Sequence, residues 1–278
     1  METPLIEMRD VSVVRDGTRI LDRISLAIPR MRHTAVLGPN GAGKSSLLKV
    51  LMRHFYPSVD SGGQQGTVRI LGESAWEVAR LRRRMGVVSA QLDLEFSEGR
   101  AGRMTVLEAV ASGYTATQLK EFGPRLTAAM QREIDRAVEL VGMTHLRDRQ
   151  LATLSTGERR RTLIARAIVH QPDIFVLDEP TVGLDMAAQA TFLEILDSLS
   201  RHPSITLVLV THHLEEIPPG IEHVILLDRG KVAFDGAKQE GLTEGRMSEL
   251  YQTPVRLTRL PSGWYEAGTS SVRTLPSA

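Results

Sequence analysis

Two patterns of apolar residues alternate along the chain, and each predicts a different kind of strand. Over residues 5–14 and 19–28, β-branched and aliphatic residues partly alternate with polar ones, and the turn pair Asp16-Gly17 separates the two stretches. This pattern predicts an antiparallel β layer. Four later stretches are short apolar runs, at residues 34–38, 85–91, 173–178 and 204–211. Because helical segments precede the last two runs, we expect them to form a parallel α/β sheet.

Helical periodicity dominates the middle of the chain, from residue 105 to about 152. Apolar residues recur there at spacings of three, four and seven, at Ile134, Ala137, Val138 and Val141. Gly142 follows where a glycine commonly ends a helix. We therefore expect a helical subdomain inserted at about residues 92–165, with residues 92–102 irregular.

Shorter elements complete the predicted domain, which we place at residues 1–244. Helices are predicted at 46–52 and 76–84, a further strand of the antiparallel layer at 67–71, and a hairpin at 223–227 and 231–234. The remaining residues, 245–278, are polar and rich in turn formers. We expect a turn-rich tail there, disordered from Gly268 onward.

Composition narrows the class of protein. Among the 278 residues, 42% are hydrophobic, the formal net charge is +1 and there is no cysteine. Disulfides and thiolate metal sites are thereby excluded, and no apolar run is long enough to cross a bilayer. The arginine clusters at 82–84 and 159–161 are interpreted as mainly solvated helix faces, so no nucleic-acid partner is expected. The first ten residues do not resemble a secretion signal, and we expect a cytoplasmic location.

One stretch carries a phosphate-binding pattern, two glycines that enclose four free positions before Lys-Ser. It follows the first apolar run and precedes a helix, which is the order that such a loop requires. Its backbone N–H groups and the helix dipole would bind phosphates, Lys44 would reach the β- and γ-phosphates, and Ser45 would ligate Mg²⁺. A glycine-rich turn with an incidental lysine is the alternative. The predicted phosphate-binding residues are Gly38, Pro39, Asn40, Gly41, Ala42, Gly43, Lys44, Ser45 and Ser46.

Further short motifs follow this loop in a fixed order, and together they make residues 5–240 resemble an ATP-binding cassette (ABC) ATPase. The run 174–180 resembles the Walker B strand, and residues 154–158 resemble the family signature. The family's glutamine loop, D-loop and switch histidine match Gln91, Asp185 and His212. The resemblance implies a phosphate-loop NTPase core with a RecA-like parallel sheet, an antiparallel β subdomain and an inserted α-helical subdomain.

The resemblance also assigns a role to each motif residue, with ATP and Mg²⁺ as cofactors. It implies that Asp178 serves the metal together with Ser45 and Gln91, while Glu179, His212 and Gln91 act on the attacking water. Ser155 and Gly157 of a second copy would bind the γ-phosphate, with Asp185 nearby. Taken singly, Gln91 and His212 would be ordinary polar strand ends, and Asp185 an ordinary acid at a helix N-terminus.

The sequence departs from the family pattern at three places. Where members often carry an aromatic residue that stacks on adenine, this chain has Arg15, whose guanidinium plane could stack instead. The signature contains Thr156 and Glu158 where glycine and glutamine are common, and the backbone donors are unchanged. A second histidine, His213, follows the switch position.

The resemblance implies an ATP-hydrolysing transporter subunit. Residues 104–113 and 250–257 are most similar to importer ATPases for iron complexes, cobalamin or molybdate. The implied partners are a second copy of the chain, an integral membrane permease and, indirectly, a substrate-binding protein, with the chain peripheral on the inner face of the membrane. A soluble ABC ATPase in assembly, repair or translation is the alternative. A small-molecule phosphate-loop kinase would have no use for the signature.

Overall fold

The structure is a computed structural model that describes residues 3–60, 62–115, 126–202 and 205–269. The strands are β1 (Ile6–Arg15), β2 (Thr18–Ile28), β3 (Thr34–Leu37), β4 (Thr67–Ile70), β5 (Met85–Ser89), β6 (Ile174–Asp178), β7 (Thr206–Thr211), β8 (His223–Asp228), β9 (Lys231–Ala237), β10 (Val255–Arg259) and β11 (Tyr265–Thr269). The helices are α1 (Lys44–Leu51), α2 (Val78–Arg82), α3 (Ala90–Ser97), α4 (Gly99–Gly102), α5 (Val106–Ala111), α6 (Ala128–Leu140), α7 (Thr156–Ile168), α8 (Met186–Leu199), α9 (Lys238–Gly241) and α10 (Glu244–Tyr251).

A six-stranded sheet in the order β5-β6-β7-β3-β8-β9 forms the centre of the fold. Neighbouring strands are parallel except for the β8–β9 hairpin. Phe175 and Leu177 of β6 pack into one core with the helical insert, and Ile174 and Val176 pack into a second core with α1 and the antiparallel layer. The apolar runs are continuous because both faces of the sheet are buried, and the predicted parallel sheet is confirmed.

The predicted antiparallel layer is also confirmed, as a three-stranded sheet in the order β2-β1-β4. Asp16 and Gly17 both have positive φ angles, 48° and 74°, and Arg15 pairs with Thr18 across them. Two residues of this conformation form the tight turn that best fits the twist of a hairpin. The layer packs over α1, so it lies next to the predicted phosphate loop.

The helical insert is confirmed in kind, but its beginning differs from the prediction. We predicted a strand that ends at Gln91 and an irregular stretch over 92–102. Instead β5 ends at Ser89, whose side chain accepts a hydrogen bond from the backbone N–H of Leu92 and so caps α3. This cap starts a helix at Ala90, and α3 and α4 fill the stretch that we expected to be irregular. Farther on, α6 ends near Gly142, which has a φ of 67°, as predicted.

The predicted turn-rich tail is wrong over the described residues. Residues 244–251 form α10, and β10 and β11 pair as a hairpin. Met247, Leu250 and Tyr265 are buried in the core that also covers one face of the central sheet. Gly268 lies within β11, and the predicted disorder beyond Thr269 lies outside the described residues. The division at residue 244 stays a prediction.

The interpretation of residues 159–161 as a solvated helix face is wrong for Arg159 and Arg160. Arg160 is 2% exposed, and both guanidinium groups contact the buried carboxylate of Asp93. The cause is the position of α7, which packs beneath α3 rather than against solvent. Within the described ranges, none of the helices combines the length and the apolar character that a membrane span requires.

Candidate functional site

The carboxyl ends of four parallel strands meet at one edge of the central sheet. The register pairs Ser89 of β5 with Asp178 of β6, and Leu37 of β3 with Thr211 of β7. The phosphate loop, α3, Glu179 and His212 begin directly beyond these residues. Ligands of open α/β sheets bind at this edge, because the loops after neighbouring strands converge there.

The predicted phosphate loop connects β3 to α1 and encloses the ammonium group of Lys44. Gly43 precedes α1 with a φ of 102°, and a Cβ there would lie 2.8 Å from the side chain of Leu21. Only glycine therefore suits this position. Lys44 is 4% exposed, and its Nζ donates hydrogen bonds to the carbonyl oxygens of Gly38 and Pro39 at 2.9 and 3.2 Å. The loop thus holds a buried cation beside the free N–H groups of a helix N-terminus.

Three predicted site residues meet at the carboxylate of Glu179. Its Oε1 lies 3.5 Å from Nζ of Lys44 and 3.2 Å from Nδ1 of His212. A carboxylate only accepts hydrogen bonds, so the imidazole donates to it through Nδ1. Glu179 has a φ of 46°, a left-handed conformation that is rare outside glycine, and its N–H donates to the carbonyl of Val210 in β7. The structure therefore brings together Lys44, Glu179 and His212.

Asp178, at the end of β6, has the properties of a metal ligand. Its Oδ1 is buried and has no hydrogen-bond partner among the described residues. Burial, together with the negative charge of Glu179, raises the pKa of Asp178 to about 6. A desolvated carboxylate oxygen without a donor is suited to a hard divalent cation such as Mg²⁺. Ser45 is exposed on the first turn of α1, on the loop side of the same sheet edge.

The signature and D-loop residues begin the helices α7 and α8. Ser155 caps α7 in a reciprocal arrangement with Glu158, whose carboxylate accepts from the N–H and hydroxyl of Ser155. These bonds, the backbone one most of all, lower the pKa of Glu158. A Cβ at Gly157 would lie 2.8 Å from Ala188, so glycine allows α7 to pack closely on α8. Asp185 caps α8 by accepting from the N–H of Ala188.

Like the signature and D-loop residues, Gln91 and Arg15 make no contact with Lys44, Glu179 or His212. Gln91 is exposed on the first turn of α3, and its amide donates to Glu95 at 3.3 Å. Arg15 lies at the end of β1, and its guanidinium stands 4.8 Å from the ring centroid of Phe55. The sequence did not predict a role for Phe55, because this residue follows α1 and belongs to none of the recognised motifs. The structure thus supplies an aromatic ring beneath the arginine that was predicted to contact adenine.

A buried arginine connects α3, α7 and the loop after Glu179. Nη1 of Arg160 donates to the carbonyl oxygens of Pro180 and Val182, each at 2.7 Å, and Nη2 lies 3.4 Å from Asp93. Asp93 is 4% exposed and stands two residues after Gln91. Sequence reasoning missed both residues, since a charged pair within a helical pattern is usually solvated.

Tyr251, at the end of α10, also reaches the site. Its hydroxyl donates to the backbone carbonyl of His212 at 2.9 Å. Burial raises the pKa of Tyr251, so the hydroxyl stays protonated and remains a donor. The C-terminal segment therefore contacts the turn that carries the switch histidine, which the predicted turn-rich tail did not anticipate.

The fold, the site at the strand edge and the order of the motifs together identify the class of protein as a nucleotide-binding ATPase of transporters. A sequence profile of the family described as ABC transporter matches residues 21–182. The chain belongs to this family, whose members hydrolyse ATP to power transport. It is accordingly an ATP-binding and ATP-hydrolysing subunit of an ABC transporter, as the resemblance implied.

Several named relatives are similar over most of the chain. The zinc uptake system ATP-binding protein ZurA of Listeria monocytogenes is 34% identical over 85% of this chain and 87% of its own. The ferric enterobactin transport ATP-binding protein FepC of Escherichia coli is 32% identical over 84% and 81%. The cobalt import ATP-binding protein CbiO of Rhodobacter capsulatus is 35% identical over 82% and 76%. Among solved structures, cbiO1 of Clostridium perfringens, part of the transporter complex cbiONQ, has a TM-score of 0.73 at 25% identity and covers 89% and 94%.

Proposed function

We propose that the chain powers an importer for a metal ion or a metal complex. The support is that relatives named for zinc, ferric enterobactin and cobalt transport match it over four fifths of its length or more. Among the described residues no helix is suited to cross a membrane, and a separate permease would provide the path. The chain would lie on the inner face of the membrane through that permease, and a substrate-binding protein would deliver the cargo.

The proposed mechanism rests on one observation, which is that Lys44 and His212 both contact the carboxylate of Glu179 at the strand edge. Lys44 and the loop N–H groups would bind the β- and γ-phosphates of ATP. Glu179 would orient the attacking water and accept its proton, with His212 fixing the direction of that carboxylate. Asp178 and Ser45 would hold Mg²⁺, and Gln91 would approach it as α3 moves. The metal would neutralise phosphate charge during phosphoryl transfer.

Two copies of the chain would complete each ATP site. Ser155 and Gly157 stand at the N-terminus of α7, and this helix end would bind the γ-phosphate of ATP held by the other copy. The surface beside them agrees with a covered interface, because Met186 is 89% exposed and Val182 is also exposed, on either side of Asp185. Exposed apolar residues next to a ligand site are typical of interaction surfaces. ATP would close the dimer, and hydrolysis would reopen it.

The permease would dock at α3, which carries Gln91 and an exposed Leu94. Motion at this helix can reach the ATP site through the bonds of Asp93 and Arg160 to the loop after Glu179. This connection supports coupling between docking and hydrolysis. The competing function, a soluble ABC ATPase, has no use for such a docking helix.

Co-expression with a candidate polytopic permease from the same genome tests the proposal. A tagged permease should capture two copies of the chain, and cells should accumulate radioactive zinc, cobalt or ferric chelate only when both are present. Gln91→Ala should reduce uptake more than it reduces ATP hydrolysis, which uncouples the two. Gln171→Ala is the matched control, because this exposed glutamine also binds a glutamate, Glu133, but precedes β6 at the opposite end of the sheet. Full ATPase activity without any captured permease would favour the soluble ATPase instead.

A further inference from the structure

We propose that Glu216 is a positioning residue for ATP hydrolysis, which holds Glu179 and His212 in register. Glu216 is 0% exposed and ends a 3-10 turn, Leu214–Glu216, that follows β7. Each oxygen of its carboxylate accepts one threonine hydroxyl. Thr181 donates to Oε1, and Thr211 donates to Oε2 at 2.5 Å.

The two threonines belong to the two segments that carry the proposed catalytic side chains. Thr181 is two residues after Glu179, and Thr211 directly precedes His212. A buried carboxylate is costly unless its oxygens are satisfied, and here both are satisfied by hydroxyl donors from different segments. The buried acid therefore adds a side-chain link between the residues that follow β6 and the end of β7, beyond the pairing of these two strands.

These segments need such a constraint because the backbone at Glu179 is strained. Its φ of 46° is a conformation that surrounding contacts must maintain in a residue other than glycine. The bond from the N–H of Glu179 to Val210 is one such contact, and the bridge from Thr181 to Glu216 is a second. On the other side, the hydroxyl of Thr211 also accepts from the N–H of His213 at 3.0 Å. One hydroxyl thus ties the turn around His212 to the buried acid.

Loss of the bridge through Glu216 should lower the rate of ATP hydrolysis and leave the affinity for ATP unchanged. Without the bridge, Nδ1 of His212 and Oε1 of Glu179 lose two of the contacts that hold them 3.2 Å apart. Lys44 and the phosphate loop lie between β3 and α1, and the hydrogen bonds of the bridge join only Thr181, Thr211, Glu216 and the N–H of His213. This inference rests on the roles proposed for Glu179 and His212, and it adds a residue that acts through both.

The test uses the threonines, because Glu216→Ala would break both bonds of the bridge at once, whereas each threonine variant breaks one; thermal unfolding checks that each variant stays folded. Thr211→Val keeps the shape of the side chain and removes its hydroxyl, whereas Thr211→Ser keeps the hydroxyl. Thr206→Val is the matched control, since Thr206 is buried in the same strand and its hydroxyl accepts from the N–H of Met31 at the opposite end. All variants are made in the full chain.

We expect kcat of Thr211→Val to fall by about tenfold to 10²-fold, the effect of a small misplacement of catalytic groups, with the Kd for ATP unchanged. Thr211→Ser should retain most of the activity, and Thr206→Val should keep the wild-type kcat. Thr181→Val should lower kcat in the same way as Thr211→Val. In a His212→Ala background, Thr211→Val should add no further loss, because both changes disable the same contact.

Three outcomes would overturn the proposal. The first is a wild-type kcat of Thr211→Val when His212→Ala is impaired. The second is a loss of kcat in Thr206→Val as large as that in Thr211→Val. The third is a double variant, Thr211→Val with His212→Ala, whose loss equals the sum of the two single losses in free energy. Full activity of His212→Ala alone is a different result, which would refute the role proposed for His212 and, with it, the pair that Glu216 is said to align.

Discussion

Replacing Lys44 by methionine should abolish tight ATP binding with little effect on the fold. The change keeps the length of the stem but removes a buried ammonium that donates to the carbonyls of Gly38 and Pro39 and stands 3.5 Å from Glu179. In the complex the same ammonium would bind phosphate oxygens, and loss of one partner of a desolvated charge pair costs about 2–5 kcal/mol. This free energy corresponds to a loss of affinity of roughly 30-fold to several thousandfold.

The structure offers a matched control for this variant at Lys238. Lys238 is also buried, and its Nζ also donates to two backbone carbonyls, those of Pro218 and Pro219, at 3.1 Å each. Lys238→Met should therefore lose a comparable set of hydrogen bonds and lower the free energy of unfolding similarly, yet bind ATP normally. Titration with a fluorescent nucleotide measures the affinity, and thermal unfolding measures stability. An affinity of Lys44→Met close to wild type would refute the assignment of this loop.

Further variants test contacts around the site. Arg15→Ala should weaken ATP binding by about 1 kcal/mol and Arg15→Tyr should restore it, because either flat group can stack between Phe55 and the base; equal affinities would remove Arg15 from the site. Tyr251→Phe should lower kcat by about two- to fivefold with unchanged ATP affinity, since one hydrogen bond to the switch turn is lost; an unchanged kcat would restrict Tyr251 to packing. Asp93→Ala should lower the free energy of unfolding by about 3 kcal/mol, because Arg160 stays buried without its carboxylate; denaturant titration measures this, and a loss below about 1 kcal/mol would show that Arg160 is satisfied by carbonyls alone.

The parts of the fold that follow from local pattern could be predicted from the sequence. The unbroken run at 174–178 has both faces buried, so it must be a central strand, and Gly38 and Gly43 leave room for a loop that a side chain would obstruct. Gln91 was misplaced because a side-chain cap at Ser89, and not the end of the apolar run, decides where α3 begins. Capping depends on a single hydrogen bond, which hydrophobic periodicity does not register.

The other features that could not be predicted from the sequence depend on polar contacts made in the folded chain. Glu216 stands in a polar turn between apolar residues, where a glutamate is ordinarily solvated, and only the tertiary fold brings the hydroxyl of Thr181 to it from 35 residues away. Tyr251 is similar, since its partner is a backbone carbonyl 39 residues away. Residues that align a site from beyond its motifs leave no local signature, and their roles become visible only when the contacts are known.

The central claim is that two copies share each ATP site and that Glu179 accepts the proton of the attacking water. Glu179→Gln keeps the size of the side chain but removes the base, so hydrolysis should fall by roughly 10²–10⁴-fold while ATP still binds. Because the closed dimer reopens only after hydrolysis, this variant should elute as a dimer in size-exclusion chromatography with ATP and Mg²⁺. Adding Ser155→Arg should restore the monomer without releasing ATP from the phosphate loop. A Glu179→Gln protein that hydrolyses ATP at the wild-type rate, or that binds ATP and remains a monomer, would contradict the account.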